Sequence, residues 1–225
     1  MKSEGILLVD KAAGSTSFQI VSQLRRLTRI ETIGHAGTLD PFATGVMVML
    51  VGRSYTKRSN DYLQSDKQYR ATLRLGIETD TYDLDGHAVD KSDIVPTDRQ
   101  IEIAVSSFQG EILQIPPMFS AKKIGGKKLY DLARRGIEIE RQPVKVRLSV
   151  KIILYAYPHL EILVDCSKGT YIRSLAHDLG QALGCKAHLS ALSRTRSGAF
   201  ALDECIPQDL LKNPEFDVSS HLRRS

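Results

Sequence analysis

Asp40 has the most telling setting of any carboxylate in the chain. It lies in Gly34-His35-Ala36-Gly37-Thr38-Leu39-Asp40-Pro41-Phe42-Ala43-Thr44-Gly45, a polar, glycine-rich, turn-forming stretch, and is held between a leucine and a proline. The apolar run Val46 to Val51 follows at once. That order predicts a loop mounted on a buried strand, where folds tend to display reactive groups. A carboxylate there suits a nucleophile, a base or a group that orients a phosphate loop. Lys11, His35, Lys57, Tyr69, Tyr171 and Arg173 also fall just outside predicted core elements. Such separation is what a site assembled by the fold permits. Arg173, two residues after Tyr171 near a predicted helix start, suits pairing with a carboxylate or contact with phosphate. Each residue also has an ordinary structural role open to it: a turn anchor for Asp40, half-buried packing for both tyrosines, a surface ion pair for Arg173.

The elements that must position these residues follow from hydrophobic spacing. Gly5 to Asp10 reads as a short buried strand, and Thr16 or Ser17 as the cap of a helix from Phe18 to about Leu27, with Ile20, Val21, Leu24 and Leu27 on one face. After the Asp40 loop and the Val46–Val51 strand, a polar helix is predicted over 56–63, and Tyr69 to Gly76 alternates as a strand with one buried face. Residues 79–86 form an acidic turn, Val89 begins a short edge strand, and 97–108 carries a helix with Asp98 in its first turn. Two prolines and two glycines argue against regular structure between Gln114 and Lys128, and its four lysines argue against packing it inward. A helix follows over 128–135. Strands over 146–155 and 160–166, then a helix over 171–183, complete the pattern. The mixture predicts an α+β or α/β fold with a mixed sheet.

Composition narrows the classes of function. In 225 residues, 42% are hydrophobic and 25% charged, ordinary for a globular protein able to bury a substantial core. The net charge of +5 is modest, but basic residues gather at 122–128, 134–147 and 194–196 while acidic ones gather around 78–93. That asymmetry favours a polyanionic partner over no more than a solvated surface. Cys166, Cys185 and Cys205 are widely spaced, and neither CxxC nor HExxH occurs, so no disulfide framework or zinc site is expected. No metal is expected, and no stretch approaches membrane-spanning length. The start of the chain does not read as a signal peptide, which points to a reducing, cytoplasmic setting. GxxxxGK[ST] and a strand-linked GxGxxG are both missing.

The ordered motifs add a resemblance. Gly34 through Gly45 resembles the GHxGTLDPxATG-like active-site segment of the TruB family of bacterial tRNA pseudouridine synthases. Gly5 to Lys11 with Gly14 to Ser17, then Thr56-Lys57 and Lys67-Gln68-Tyr69, are similar to that family's earlier motifs. Pro116 to Lys122, Leu129-Tyr130, Gly169 to Ala176, His188-Leu189 and Leu192 to Thr195 continue the match, which covers residues 5 through 200. The resemblance implies an α+β pseudouridine-synthase fold with a central mixed, largely antiparallel sheet flanked by helices and loops. It implies conversion of uridine 55 to pseudouridine in the TΨC stem-loop (T-arm) of tRNA, with no cofactor, no metal, no membrane and no partner subunit. Asp40 aligns with the essential aspartate, which attacks the ribose or removes a ribose proton, and Arg173 with an arginine that keeps it ionised. Tyr69 matches the aromatic residue that stacks on the target base and assists proton transfer; Tyr171 and Leu192 match residues that close the pocket. His35 corresponds to an RNA-organising residue, and Lys11 and Lys57 to active-site support or RNA contacts. Lys122, Lys123, Lys127 and Lys128 match a basic RNA-gripping thumb, at about 112–142.

Three departures stand out. Ala12-Ala13 follow Lys11 where the family commonly has proline. Phe119 replaces a frequent tyrosine and loses its hydroxyl. The expected catalytic domain spans 1–204, and 205–225 is expected to be a short tail in place of a PUA-type domain.

Overall fold

The structure is a computed structural model that describes residues 4–120, 123–124, 127–133, 135–137 and 139–224. Up to residue 75 the chain forms β1 (Gly5–Lys11), α1 (Ser17–Thr28), β2 (Ile33–His35), β3 (Thr44–Val51), α2 (Arg53–Thr56), α3 (Ser59–Leu63) and β4 (Lys67–Leu75). Next come β5 (Ile77–Thr79), β6 (Ala88–Lys91), α4 (Asp98–Ser106), β7 (Gly110–Gln114), β8 (Lys123–Ile124), β9 (Lys127–Lys128) and α5 (Leu129–Ala133). The last part holds β10 (Val144–Ala156), β11 (His159–Cys166), α6 (Ile172–Ala182), β12 (Ala187–Ser197), β13 (Phe200–Ala201) and β14 (Ile206–Pro207), with one short 3-10 turn between β13 and β14 and others after β14. Two compact units emerge, one of Met1–Arg70 with Leu192–Ser225 and one of Ala71–Ala191.

In the first unit the strand order is β14-β1-β3-β12. β1 runs antiparallel to β3 from Gly5↔Val51 to Lys11↔Gly45, β2 is antiparallel to β3, and β12 meets β3 in parallel at Ser193↔Thr44 and Arg194↔Gly45. β1 and β3 are buried on both faces, which is why both read as unbroken apolar runs. Ile6, Leu8, Val46, Val48 and Leu50 form one core layer, with Tyr55, Tyr62 and Phe200 packed against it. α1 buries Ser17, Ile20, Val21 and Leu24 and starts at a capping box in which Thr16 Oγ1 accepts from Gln19 N while the Gln19 side chain accepts from Thr16 N. The segment after Cys205 packs on this unit: Ile206 pairs with Val9, Leu211 and Val218 are buried, and Ile6 and Arg223 exchange backbone hydrogen bonds.

In the second unit β4, β11, β10 and β7 lie side by side, β10 antiparallel to both β11 and β7. The fold is therefore a mixed, largely antiparallel sheet flanked by helices, as expected. Several local expectations need correction. The predicted 56–63 helix is two short helices divided at Lys57–Arg58, and the polar run has no buried residue to hold them as one. Gly110 (φ +77) ends the α4 region but also opens β7, since its left-handed backbone turns the chain directly into a strand. Irregular structure was expected across 114–128, yet β8 and β9 pair as a short antiparallel ladder, and α5 covers only Leu129–Ala133. β12 was not anticipated as a strand, because buried Arg194 interrupts its apolar alternation.

Candidate active site

The Asp40 loop is shaped by its own turn chemistry and then fixed by side chains from elsewhere in its unit. Ala43 N donates to Asp40 O at 3.1 Å, closing a turn with Pro41 at its second position. Aspartate at the first position and proline at the second is a favoured pairing, because proline presets φ and aspartate tolerates the turn. Gly37 (φ +105) and Gly45 (φ +103) bracket the loop in backbone that side chains rarely adopt. At Gly45 a Cβ would lie 2.3 Å from Arg194 O, so β12 requires glycine there.

Two buried cations grip the loop by its carbonyls. Lys11 has no solvent exposure, and its ammonium donates to Ala12 O (3.1 Å), Pro41 O (2.9 Å) and Ala43 O (2.6 Å). Arg194, 1% exposed, donates through Nε to Val46 O (2.7 Å), through Nη2 to Gly37 O (3.3 Å) and through Nη1 to Thr38 O (3.5 Å). Ser17 Oγ accepts from Leu39 N at 3.2 Å and donates to Leu39 O at 3.3 Å, and Gly14 N donates to Pro41 O. The carbonyls of 37, 38, 39, 41, 43 and 46 thus all have donors, which fixes the backbone on both sides of half-buried Asp40.

The cations also set the local field. Burial pushes the Lys11 ammonium down to about 8; the Asp40 charge acts against that fall and Arg194 adds to it. Three carbonyl acceptors nevertheless demand three N–H donors, which only the ammonium supplies. His35 is held below its usual range by burial first and then by the Arg194 charge, while the Gly37 backbone acts the other way. Its Nδ1 is buried with no hydrogen-bond partner among the described residues. A neutral imidazole at neutral pH is the result.

The remaining expected residues of this unit lie on neighbouring elements. Lys57 is exposed at the end of α2, the helix whose Thr56 methyl stands 3.5 Å from a Cβ built at Gly34. Tyr69 is half-buried on β4, and Leu192 is 8% exposed on β12. Arg194 is the residue that sequence reasoning misplaced. Its place beside Arg196 reads as part of a basic cluster for a polyanionic partner, and no local signal distinguishes a buried strand arginine from an exposed one. Its partners are backbone carbonyls, which leave no trace in composition.

Tyr171 and Arg173 lie in the second unit, at the start of α6. Buried Gln114 straddles the Tyr171 backbone, accepting from its N–H at 2.8 Å and donating to its carbonyl at 3.0 Å, so β7 sets where α6 begins. Arg173 is not the surface ion pair that was its ordinary alternative. It is 6% exposed, meets Asp83 at 3.3 Å and donates to Phe119 O at 2.7 Å. Of the four thumb lysines, Lys122 lies outside the described residues, while Lys123, Lys127 and Lys128 contribute backbone to β8 and β9. No group of three His, Cys, Asp or Glu that could hold a metal occurs among the described residues, and Cys166, Cys185 and Cys205 are free thiols. No described helix is long and apolar enough to cross a membrane.

Comparison with known proteins adds the context this geometry calls for. Residues 25–172 match the model of the TruB family pseudouridylate synthase N-terminal domain, and 173–224 that of the tRNA pseudouridylate synthase B C-terminal domain. The chain is 60% identical over 203 residues to tRNA pseudouridine synthase B of Protochlamydia amoebophila, covering 90% of this chain and 78% of that protein. It is 56% identical over 220 residues to the protein of that name from Chlamydia trachomatis serovar L2, covering 98% and 91%. Among solved structures, a chain of a Cbf5-Nop10-Gar1 complex matches with a TM-score of 0.72 at 29% identity over 92% of this chain. This chain spans about half (54%) of that one's length. The matched residues cover the Asp40 loop, both cations that grip it and the start of α6: the chain belongs to the TruB family of pseudouridylate synthases.

Proposed function

We propose that the protein isomerises uridine 55 of the tRNA TΨC loop to pseudouridine, acting as a monomer in the cytoplasm. The N1–C1′ bond breaks, a C5–C1′ bond forms, the C5 proton leaves and N1 gains one, so no co-reactant is consumed. Asp40 starts the reaction as an ionised carboxylate, by attack on the ribose or by removal of a ribose proton. Tyr69 stacks on the base and assists proton transfer, and Leu192 and Tyr171 close on it. Arg173 serves to keep the aspartate ionised. Aromatic surfaces replace the stacking that the base loses when it leaves the loop. Lys11 supports the Asp40 turn, and His35 and Lys57 contact RNA. Lys122, Lys123, Lys127 and Lys128 grip phosphates from the thumb.

The observation that carries this reading is the Asp40 turn itself, whose flanking carbonyls are taken up by buried Lys11 and Arg194. The test is tritium release from C5-labelled uridine in a T-arm transcript. Native protein is expected to release tritium, and Asp40→Asn to lose about 10²–10⁴-fold or more of that rate while still binding RNA. RNA binding with no release from native protein would sink the assignment.

A further inference from the structure

The turn after β1 and the outer side of α1 face the 208–212 turn across a groove of about 460 Å³, lined among others by Ser15, Gln19, Gln23, Arg26, Gln208 and Lys212. Pockets of this size accept ligands on the scale of a nucleotide. Gln208, 5% exposed, fixes the floor: its Oε1 accepts from Ala12 N at 2.9 Å, and its Nε2 donates to Ser15 Oγ at 2.7 Å and to Gln23 Oε1 at 3.3 Å.

What remains unused on the walls is lopsided. Gln19, Gln23 and Arg26 stand at i, i+4 and i+7 on one face of α1. The Oε1 atoms of both glutamines already accept hydrogen bonds, Gln19 from Thr16 N and Gln23 from Gln208. Their Nε2 groups and the Arg26 guanidinium have no acceptor among the described residues. The carboxylate on the opposite wall, Asp209, pairs with Lys212 at 2.6 Å at the exposed rim. A groove with spare donors and its one acid already paired selects a ligand rich in acceptors and negative charge. Its floor, Ala12 to Ser15, continues directly from Lys11, and Gly14 N donates to Pro41 O in the Asp40 turn.

We infer that this groove holds the phosphodiester backbone of the substrate RNA beside the uridine presented to Asp40, an inference that rests on the reaction proposed above. The test is binding of a T-arm hairpin across a salt series by native protein, Arg26→Glu and Gln23→Ala. Arg26→Glu should weaken binding about tenfold and reduce the slope of log affinity against log salt by about 0.7–0.9, the share of one phosphate. Gln23→Ala should weaken binding less and leave the slope in place, since it removes a neutral donor. A single methylphosphonate in the hairpin, at the contacted position, should lower the native slope equally and have no effect on Arg26→Glu. Native affinity and slope for Arg26→Glu would overturn the groove assignment. Tritium release by native protein with an unaltered Arg26→Glu slope would remove the groove and keep the reaction. A reduced slope with no tritium release would do the reverse.

Discussion

Asp40 and Asp83 are both turn aspartates, and the molecule treats them in opposite ways. Around Asp83 the carboxylate itself is the anchor. It accepts from Thr81 Oγ1 at 2.6 Å and Asp85 N at 3.1 Å and meets the Arg173 guanidinium at 3.3 Å, with 4% exposure. Leu189 N donates to Tyr82 O beside it, so this acidic turn is tied to β12 within its unit. Around Asp40 the cations bind the backbone instead. Lys11 and Arg194 take the carbonyls on either side, so buried cations hold the backbone of this loop. One turn is held through its aspartate's carboxylate and the other through the carbonyls that flank its aspartate.

The strongest way to break this comparison is to remove each carboxylate. Asp83→Ala should cost about 1–3 kcal/mol of unfolding free energy by urea titration, because Thr81 Oγ1, Asp85 N and the buried Arg173 guanidinium all lose the acceptor they share. Asp40→Asn keeps a polar side chain of the same shape in a turn held by its carbonyls, so it should cost less stability than Asp83→Ala, about 1 kcal/mol, while losing activity. Equal losses of stability would mean that Asp40 is also a structural anchor.

Arg194→Met comes next. It leaves the carbonyls of Gly37, Thr38 and Val46 without their buried donor, at about 1–3 kcal/mol. Tritium release per folded molecule should fall as well, because the Asp40 turn is no longer fixed from that side. Native turnover by folded Arg194→Met would refute the view that the loop is held through its backbone.

A smaller effect separates stability from activity by pH. The folded value of Lys11, about 8, lies below its ordinary 10.5, so the unfolded chain binds more protons between those values and stability rises with pH through that window. Activity should move the other way. Above about 8 the neutral amine offers two N–H groups to three carbonyls, and single-turnover rates should drop about tenfold by pH 9.5. Lys11→Arg keeps its charge and should lose this alkaline fall; an unchanged profile would rule out Lys11 as its source.

The smallest expected change is Thr16→Ala, which removes half of the α1 capping box. It should lower stability by about 1 kcal/mol, read as a shift in the urea midpoint, with little change in the tritium-release rate.

The local elements were legible wherever one residue pattern dominates. The apolar runs of β1 and β3, the 3.6-residue spacing of α1 and α6, and a cap at Thr16 or Ser17 could be read directly because each is a short-range preference; the structure places the cap at Thr16. The division of α2 from α3 and the β12 strand escaped, since both depend on what packs against them. At the site, the Asp-Pro turn and its glycines could be read from residue order, and the family pattern named the candidate residues.

The sequence by itself determined that a carboxylate would sit in a rigid, glycine-bracketed turn ahead of a buried strand. Only the tertiary structure decided what holds that turn. The contacts of Lys11 with the Pro41 and Ala43 carbonyls, and those of Arg194, span 30 or more residues of chain, and hydrogen bonds to backbone oxygens carry no sequence signature. It also decided that Arg173 is buried against Asp83 and that Arg194 belongs to the interior, because burial is a property of neighbours brought together by folding.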